Sequence, residues 1–195
     1  MKEFFALLSG IDASGVRGEV DYRAISLWLS ATLPLYTIVG FWLFSLKQPR
    51  NYLLYRSALY KNWWNRLCRG VLIRTAAYFL ILWAAFCVIK GEPKELAEIL
   101  VLRMLHTMLL STAAAAIWEA TLFSGSILCV IVLEYVGAAV VSYLPVGGEN
   151  LLAFWGMSRY VKNGKEYFFS CAVSAAGIAI IVLLAPRILK RYQRK

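Results

Sequence analysis

The sequence is poor in charged residues, and this scarcity excludes most soluble folds. Charged side chains occupy 16% of the 195 positions, whereas hydrophobic side chains occupy 61%. A soluble domain typically has about 25% charged and about 45–50% apolar residues. Most of the chain is therefore expected to lie in lipid. We predict a single domain over residues 1–195, because no linker-like or low-complexity run divides the sequence.

Signatures of catalysis and of metal binding are also missing. The sequence has no GxxxxGK[ST] phosphate loop, no HExxH motif and no GxSxG motif. Its single histidine, His106, has no second histidine with which to hold a metal, and its four cysteines form no CxxC pair. The FSGS run at residues 123–126 weakly resembles a serine-protease motif, but no histidine is placed to act as its base. We expect no catalytic residue, no metal and no cofactor bound by this chain.

Long apolar stretches are abundant, and five of them can cross a membrane. A helix that crosses about 30 Å of hydrocarbon needs about 20 mostly apolar residues. The five stretches run from Ala24 to Leu46, Val71 to Ile89, Ile99 to Trp118, Leu122 to Leu144 and Tyr167 to Ala185. We therefore predict an all-α, polytopic transmembrane helix bundle of about five spans, in which the third and fourth form an antiparallel hairpin. A shorter apolar run, Phe4 to Leu8, is too short to cross the membrane alone. It predicts a short helix that lies in the interface or enters the membrane partway, and counting this helix would give six spans.

The basic residues predict how the bundle is oriented. Residues 47–69 contain six lysines and arginines and no acid, and the tail at residues 187–195 contains five, again unopposed. Cytoplasmic loops carry such an excess, so these two segments are expected in the cytoplasm. Residues 1–23, 90–98 and 145–166 mix acids with bases, which is typical of outer segments. The net charge of +10 is thus interpreted as a topology signal, and nucleic acid is not an expected partner.

The cytoplasmic segment at residues 47–69 has the pattern of an amphipathic basic helix. On a helix, Leu53, Tyr60, Trp64 and Leu67 share one face, and basic side chains occupy much of the remainder. Periodicity alone favours an interfacial anchor, held by anionic lipid and by aromatic burial at headgroup depth. The alternative is a docking helix gripped by a cytoplasmic protein, which needs the same pattern.

Five ionisable residues fall within or at the ends of the predicted spans. Charges in hydrocarbon are costly and usually face a partner or a watery cavity. These residues are Arg74, Arg103, His106, Glu119 and Glu134. Counting about 1.5 Å per residue from each helix end predicts contacts of Glu134 with Arg103 or His106, and of Arg74 with Glu119. Structural ties between helices are the favoured interpretation, and a solute or proton path and contacts to a partner subunit are the alternatives.

The outer loop at residues 145–166 has an apolar middle, Leu151 to Met157, that is too short to cross the membrane. Two glycines precede it, so a re-entrant or interfacial helix fits the pattern. Such a segment can close the outer side of a transport path, with Leu151, Phe154 and Trp155 as the expected gate residues. Alternatively, the segment simply lies on the bilayer surface.

Two runs of sequence resemble small bacterial permease subunits of ABC-2-type exporters. The first run is LPLYTIVGFWLFSLKQPRNYLLYRSALYKNWWNRL, which contains Leu54, Arg56, Ser57, Trp63 and Trp64, and the second is ENLLAFWGMSRY. In that family the segment after a cytoplasm-directed span serves as the coupling helix, which favours docking over anchoring. The residues expected to couple to the ATPase are Arg50, Arg56, Tyr60, Lys61, Trp63, Trp64 and Arg66.

The resemblance implies a permease chain in a bacterial plasma membrane that exports a peptide or another amphipathic substrate. Cytoplasmic ATPase subunits would bind ATP and Mg²⁺, and a second permease chain, identical or different, would complete the transporter. Members of that family have six spans. This sequence differs from that pattern because it lacks a full N-terminal membrane helix. The alternative function is a non-transporting immunity or accessory protein that binds a toxin or another membrane protein.

Overall fold

The computed structural model describes residues 22–47, 50, 60–90, 93–122, 125–143 and 164–192. These residues form six helices and no strand. The helices are α1 (Tyr22–Ser30), α2 (Leu33–Ser45), α3 (Tyr60–Lys90), α4 (Pro93–Thr121), α5 (Ser126–Tyr143) and α6 (Gly164–Tyr192). The described part of the chain is thus all-helical, as the sequence predicts.

Three of these helices are long and apolar enough to cross a membrane. The qualifying parts are Tyr60–Val88 of α3, Ala97–Thr121 of α4 and Gly164–Leu189 of α6. The apolar helices α2 and α5 are shorter. The prediction of a membrane protein built from helices is therefore confirmed at this level, whereas the count of five or six spans stays a prediction.

The first predicted span is broken into two helices at Ala31 and Thr32. Pro34 lies in the first turn of α2, where a proline is favoured because the N–H that it lacks would have no partner within a helix that starts there. At the break, the Thr32 N–H donates to the Leu29 carbonyl at 2.9 Å, three residues back. The Tyr78 hydroxyl of α3 donates to the Ala31 carbonyl at 2.7 Å. Neighbouring side chains therefore satisfy backbone groups that a continuous helix would pair internally.

Helix α3 begins earlier than the sequence predicts. Residues 60–69, assigned above to a separate cytoplasmic helix, form the first turns of this 31-residue helix. Trp63, Trp64 and Leu67 are buried there, whereas Lys61 and Arg66 are exposed. Exposed basic side chains at a helix end extend toward water without breaking the helix, so charge marks the depth of the membrane boundary and not the start of the helix. Residues 51–59 lie outside the described part of the chain.

Helix α4 lies at the centre of the bundle. About 56% of its most apolar window is buried inside the protein, against 17% for α3 and 11% for α6. Small residues allow close packing: a Cβ added to Gly177 of α6 would lie 2.8 Å from a methyl group of Leu109 of α4. The outer faces of α3 and α6, like those of α2 and α5, expose large apolar side chains that are available to lipid.

The connection between α4 and α5 lies later in the chain than the sequence predicts. Glu119 and Thr121, expected in the connection, belong to the last turn of α4. Leu122 ends the helix with a left-handed φ of 53°, and its N–H donates to the Trp118 carbonyl at 2.6 Å. Only four residues separate α4 from α5, so the two helices are neighbours in the bundle.

A tryptophan of α3 compensates for a proline within α6. Pro186 has no N–H to donate to the carbonyl four residues back, which is that of Val182. The Trp64 indole Nε1–H donates to this Val182 carbonyl at 2.9 Å. The side chain of α3 thus supplies the hydrogen bond that the α6 backbone lacks, and the bond holds the two helices together at this end of the bundle.

We expect Trp64→Phe to lower the free energy of unfolding by about 1–3 kcal/mol, because it leaves the partly buried Val182 carbonyl without a donor. Pro186→Ala introduces a backbone N–H at the position that can reach this carbonyl. In the Trp64→Phe background it should therefore recover part of the loss. Thermal unfolding of the four proteins of this double-mutant cycle in detergent measures the coupling between the two sites.

The matched control is Trp83→Phe, since Trp83 lies in the same helix but is 40% exposed. It should change stability by less than about 0.5 kcal/mol. An identical effect of Pro186→Ala in both backgrounds would contradict the compensation.

Candidate functional site

A buried carboxylate, Glu134 of α5, gathers polar side chains from α2 and α4. The Tyr36 hydroxyl of α2 donates to Glu134 Oε2 at 2.6 Å. Arg103 Nη2 of α4 lies 3.2 Å from Oε1, and His106 Nε2 lies 3.9 Å from the same oxygen. We call Tyr36, Arg103, His106 and Glu134 the central cluster. All four side chains are buried, and Glu134 is completely inaccessible.

Arg103 also contacts the broken first helix. Its Nη2 donates to the Trp28 carbonyl and to the Thr32 hydroxyl, both at 3.3 Å. Its guanidinium lies over the Trp28 ring, 3.5 Å from the ring centroid. The Trp28 carbonyl is available because the Thr32 N–H, which would reach it in a continuous helix, donates to Leu29 instead. A cation at the C-terminal end of α1 is further stabilised by the helix dipole.

The guanidinium in the central cluster has unused hydrogen-bonding capacity. Nε and Nη1 of Arg103 are buried and have no hydrogen-bond partner among the residues that the structure describes, and the same holds for the Trp28 indole N–H. A buried donor without a partner is costly. The site therefore has up to four N–H groups, three on Arg103 and one on Trp28, that can donate to a polar or anionic group that reaches it.

A second buried carboxylate, Glu119, forms a cluster near the end of α4. Arg50 donates to it through Nε at 3.2 Å and through Nη2 at 2.6 Å. The Tyr60 hydroxyl donates at 3.2 Å and the Trp63 indole at 3.1 Å. We call Arg50, Tyr60, Trp63 and Glu119 the basic-end cluster, because it lies beside the basic start of α3. It connects α3 and α4 through a carboxylate that is almost fully hydrogen-bonded.

The basic-end cluster contains part of the expected coupling segment. Trp63 and Trp64 point into the protein, toward Glu119 and the Val182 carbonyl, and Arg50 is 8% exposed. These three side chains are therefore buried within the bundle, and their role in coupling stays a prediction. Of the predicted coupling residues that the structure describes, Lys61 and Arg66 are exposed. Arg56 lies outside the described residues.

The structure does not bring Arg74 to Glu119. The Arg74 guanidinium lies 3.9 Å from the centroid of the Trp42 ring and donates to the Gly70 carbonyl at 3.0 Å. The depth count assumed a span beginning at Val71, but α3 begins at Tyr60. Arg74 therefore lies eleven residues, about 16 Å, beyond the tryptophan that contacts Glu119. Gly70 makes the stacking possible, since a Cβ there would collide with the Trp42 ring.

The contact of Glu134 with Arg103 and His106 is found where the depth count places it, whereas its function as a path stays a prediction. Sequence reasoning missed Tyr36, Trp28 and Thr32, which complete the surroundings of Arg103. Pro34 was the residue that could have predicted them. A proline inside a predicted span indicates an interrupted helix, whose backbone carbonyls can then accept hydrogen bonds from a cation. The expected gate residues Leu151, Phe154 and Trp155 lie outside the described part of the chain.

We expect the charges of the central cluster to depend on each other. Glu134→Gln removes the counter-charge of a buried guanidinium and should cost about 3–5 kcal/mol of unfolding free energy. Arg103→Met alone should cost a similar amount, because it leaves a buried carboxylate. The double variant has no buried charge and retains a carbonyl acceptor for Tyr36, so its cost should be well below the sum of the two.

Thermal unfolding of the two single variants and the double variant in detergent tests this expectation. Additive losses would show that the two side chains do not depend on each other. Glu166→Gln at the start of α6 is a control, since it changes a carboxylate outside the cluster.

Comparison of the chain with protein-family models, with curated proteins and with solved structures gives no match. Among the described residues, no three histidine, cysteine, aspartate or glutamate side chains are grouped to hold a metal. The geometry of the two clusters is therefore the basis for any functional conclusion, and the resemblance of two sequence runs to exporter permeases stays a prediction.

Proposed function

We propose that this chain is the permease subunit of an ABC exporter, driven by ATPase subunits on separate chains. The observation that carries the proposal is the central cluster, a charged site buried inside a bundle of apolar helices. The peptide or amphipathic cargo and the bacterial plasma membrane are parts of the proposal that rest on the two sequence runs described above.

A charged group inside a membrane helix is costly and usually serves a function. Transporters commonly place their substrate and ion sites where a membrane helix is interrupted, because the interruption exposes backbone carbonyls and helix ends. Arg103 occupies such a position beside the break between α1 and α2. Its two unused donor groups, Nε and Nη1, would hold a carboxylate or another polar group of the cargo.

The break also supplies a point where helices can move. Arg103 contacts α1 through Trp28, the break through Thr32, and α5 through Glu134. A shift of its guanidinium therefore alters three contacts at once. In the proposed cycle, opening of these contacts gives the cargo access to the cluster, and their closure excludes water from it.

Helix α4 connects the proposed site of cargo binding with the end where the ATPase would dock. Glu119 and Arg103 lie sixteen residues apart on this helix, about 24 Å. Glu119 is held by Tyr60 and Trp63 from the first turn of α3. A force applied to the exposed Lys61 and Arg66 would reach α4 through these hydrogen bonds, so the buried aromatic residues transmit the force and the exposed basic residues receive it.

A specific observation favours a second function, that of an accessory or immunity protein without transport. Glu134 and Arg103 are almost completely buried, and the ion pair closes the site in the described structure. A structural tie between helices would have the same geometry. The two functions differ in whether the central cluster ever meets water.

Labelling of a buried cysteine distinguishes them without knowledge of the cargo. Thr107 is completely buried, one turn from Arg103, to whose carbonyl it donates at 2.8 Å. In a chain whose four native cysteines are replaced, we expect Thr107→Cys to react with a water-soluble maleimide at least tenfold faster when ATP is supplied to the purified assembly. The reason is that a transport cycle exposes the cluster.

Ala114→Cys is the matched control, because Ala114 is equally buried on the same helix but packs in the hydrophobic core. It should stay unreactive with and without ATP. A Thr107→Cys chain that is protected under both conditions would favour the accessory function.

Purification of the tagged chain from its native membrane in mild detergent tests for the partner directly. We expect a nucleotide-binding subunit in stoichiometric amount, and Arg66→Glu should release it by reversing an exposed charge. Lys165→Glu changes an exposed charge at the start of α6 and should leave the assembly intact. A chain purified alone, or with a protein that does not bind ATP, would contradict the permease function.

A further inference from the structure

A groove lies between the first turns of α3 and the last turns of α6. Its volume is about 260 Å³, close to the lower end of the range for ligand pockets, about 300 Å³. The described residues that line it are Tyr60, Lys61, Asn65, Val182, Leu183, Pro186 and Arg187. Its lining overlaps the basic-end cluster at Tyr60 and the proposed docking surface at Lys61, but the proposed function assigns the groove no ligand.

The lining separates into an apolar part and a basic part. Val182, Leu183 and Pro186 supply an apolar wall from α6, while Lys61 and Arg187 place one cation on each side. None of the described lining residues is acidic, so no described residue of the lining neutralises either cation. The arrangement suits an anion attached to an apolar chain.

The apolar wall is a built part of the fold. Behind it, the Trp64 indole donates to the Val182 carbonyl that Pro186 leaves unpaired in α6. This hydrogen bond fixes the distance between α3 and α6 at the level of the groove. The groove is therefore present before anything binds.

The groove is continuous with the surface that faces lipid. Helices α3 and α6 are the least buried of the three long apolar helices. Leu183 is 65% exposed and lies on the groove wall. Lysine and arginine side chains at a helix end reach from the hydrocarbon to the headgroup region. A molecule that enters the groove from lipid thus contacts the apolar wall at hydrocarbon depth and the two cations at headgroup depth.

We propose that this groove binds the headgroup of an anionic phospholipid. The phosphate lies between Lys61 and Arg187, Asn65 donates to a phosphate or glycerol oxygen, and the upper part of an acyl chain follows Val182 and Leu183. Basic pockets between membrane helices are known to bind anionic headgroups in this way. An acidic protein segment would find the two cations but would leave the apolar wall and the exposed Leu183 in contact with lipid.

Native mass spectrometry of the protein as purified, with any subunits that accompany it, measures this binding. We expect a short-chain phosphatidylglycerol to bind with a 1:1 stoichiometry and at least tenfold more tightly than the matching phosphatidylcholine. Lys61→Gln combined with Arg187→Gln should weaken phosphatidylglycerol about 25-fold, a factor of about five for each basic residue. Lys61→Arg with Arg187→Lys keeps both charges and should retain binding.

The control is Lys47→Gln combined with Arg69→Gln, which removes two exposed charges from the same end of the protein without changing the groove. It should weaken phosphatidylglycerol less than twofold. An equal loss in the control, or equal binding of phosphatidylcholine, would overturn the proposal.

Two further outcomes would assign the groove to another ligand. Competition by inorganic phosphate at millimolar concentration as strong as that by the lipid would indicate a site for a free anion. Cross-linking of the Lys61 amine to a partner subunit, together with no phosphatidylglycerol binding, would indicate that protein covers the groove. Neither outcome bears on the ATP-dependent labelling of Thr107→Cys, so this inference and the proposed function fail separately.

Discussion

The ion pair between Arg103 and Glu134 is the constraint to which the surrounding structure is fitted. A guanidinium withdrawn from water into an apolar bundle needs a counter-charge and several acceptors. The bundle supplies the carboxylate from α5, and the broken segment near Thr32 supplies a carbonyl, a hydroxyl and an aromatic face. The break after α1 thus provides what a continuous helix could not, since its carbonyls would all be occupied.

Helix α4 carries residues of both clusters, Arg103 and His106 of the central cluster and Glu119 of the basic-end cluster. The helices around it, α2, α3, α5 and α6, expose large apolar side chains, while α4 exposes few. Helix α3 makes two polar contacts at the basic end. Trp63 donates to Glu119 of α4, and Trp64 donates to the Val182 carbonyl of α6. Adjacent tryptophans therefore tie α3 to two different helices, which explains why both are buried in a segment whose charge suggests exposure.

Hydropathy was enough to predict helices in a membrane, and counting depth was enough to bring Glu134 to Arg103. Depth counting did not predict the ion pair of Arg50 with Glu119. These residues are 69 positions apart in sequence and meet only through the packing of the bundle. Tyr36 was missed because a tyrosine in an apolar helix carries no sign of its partner. The start of α3 was missed because exposed lysine and arginine side chains do not end a helix, and the central position of α4 was missed because hydropathy does not report which helix is enclosed.

The burial of Arg103 also bears on how the chain enters the membrane during synthesis. An arginine at the centre of a helix opposes insertion by about 2.5–3.5 kcal/mol. The ribosome produces α4 before α5, so the carboxylate of Glu134 is not yet present when Arg103 leaves the tunnel. The guanidinium must then either rest against α1, which is already made and offers the Trp28 carbonyl and ring, or wait at the interface until α5 arrives. The four-residue connection between α4 and α5 allows the second route, in which the two helices insert as a pair and the charge is neutralised on entry.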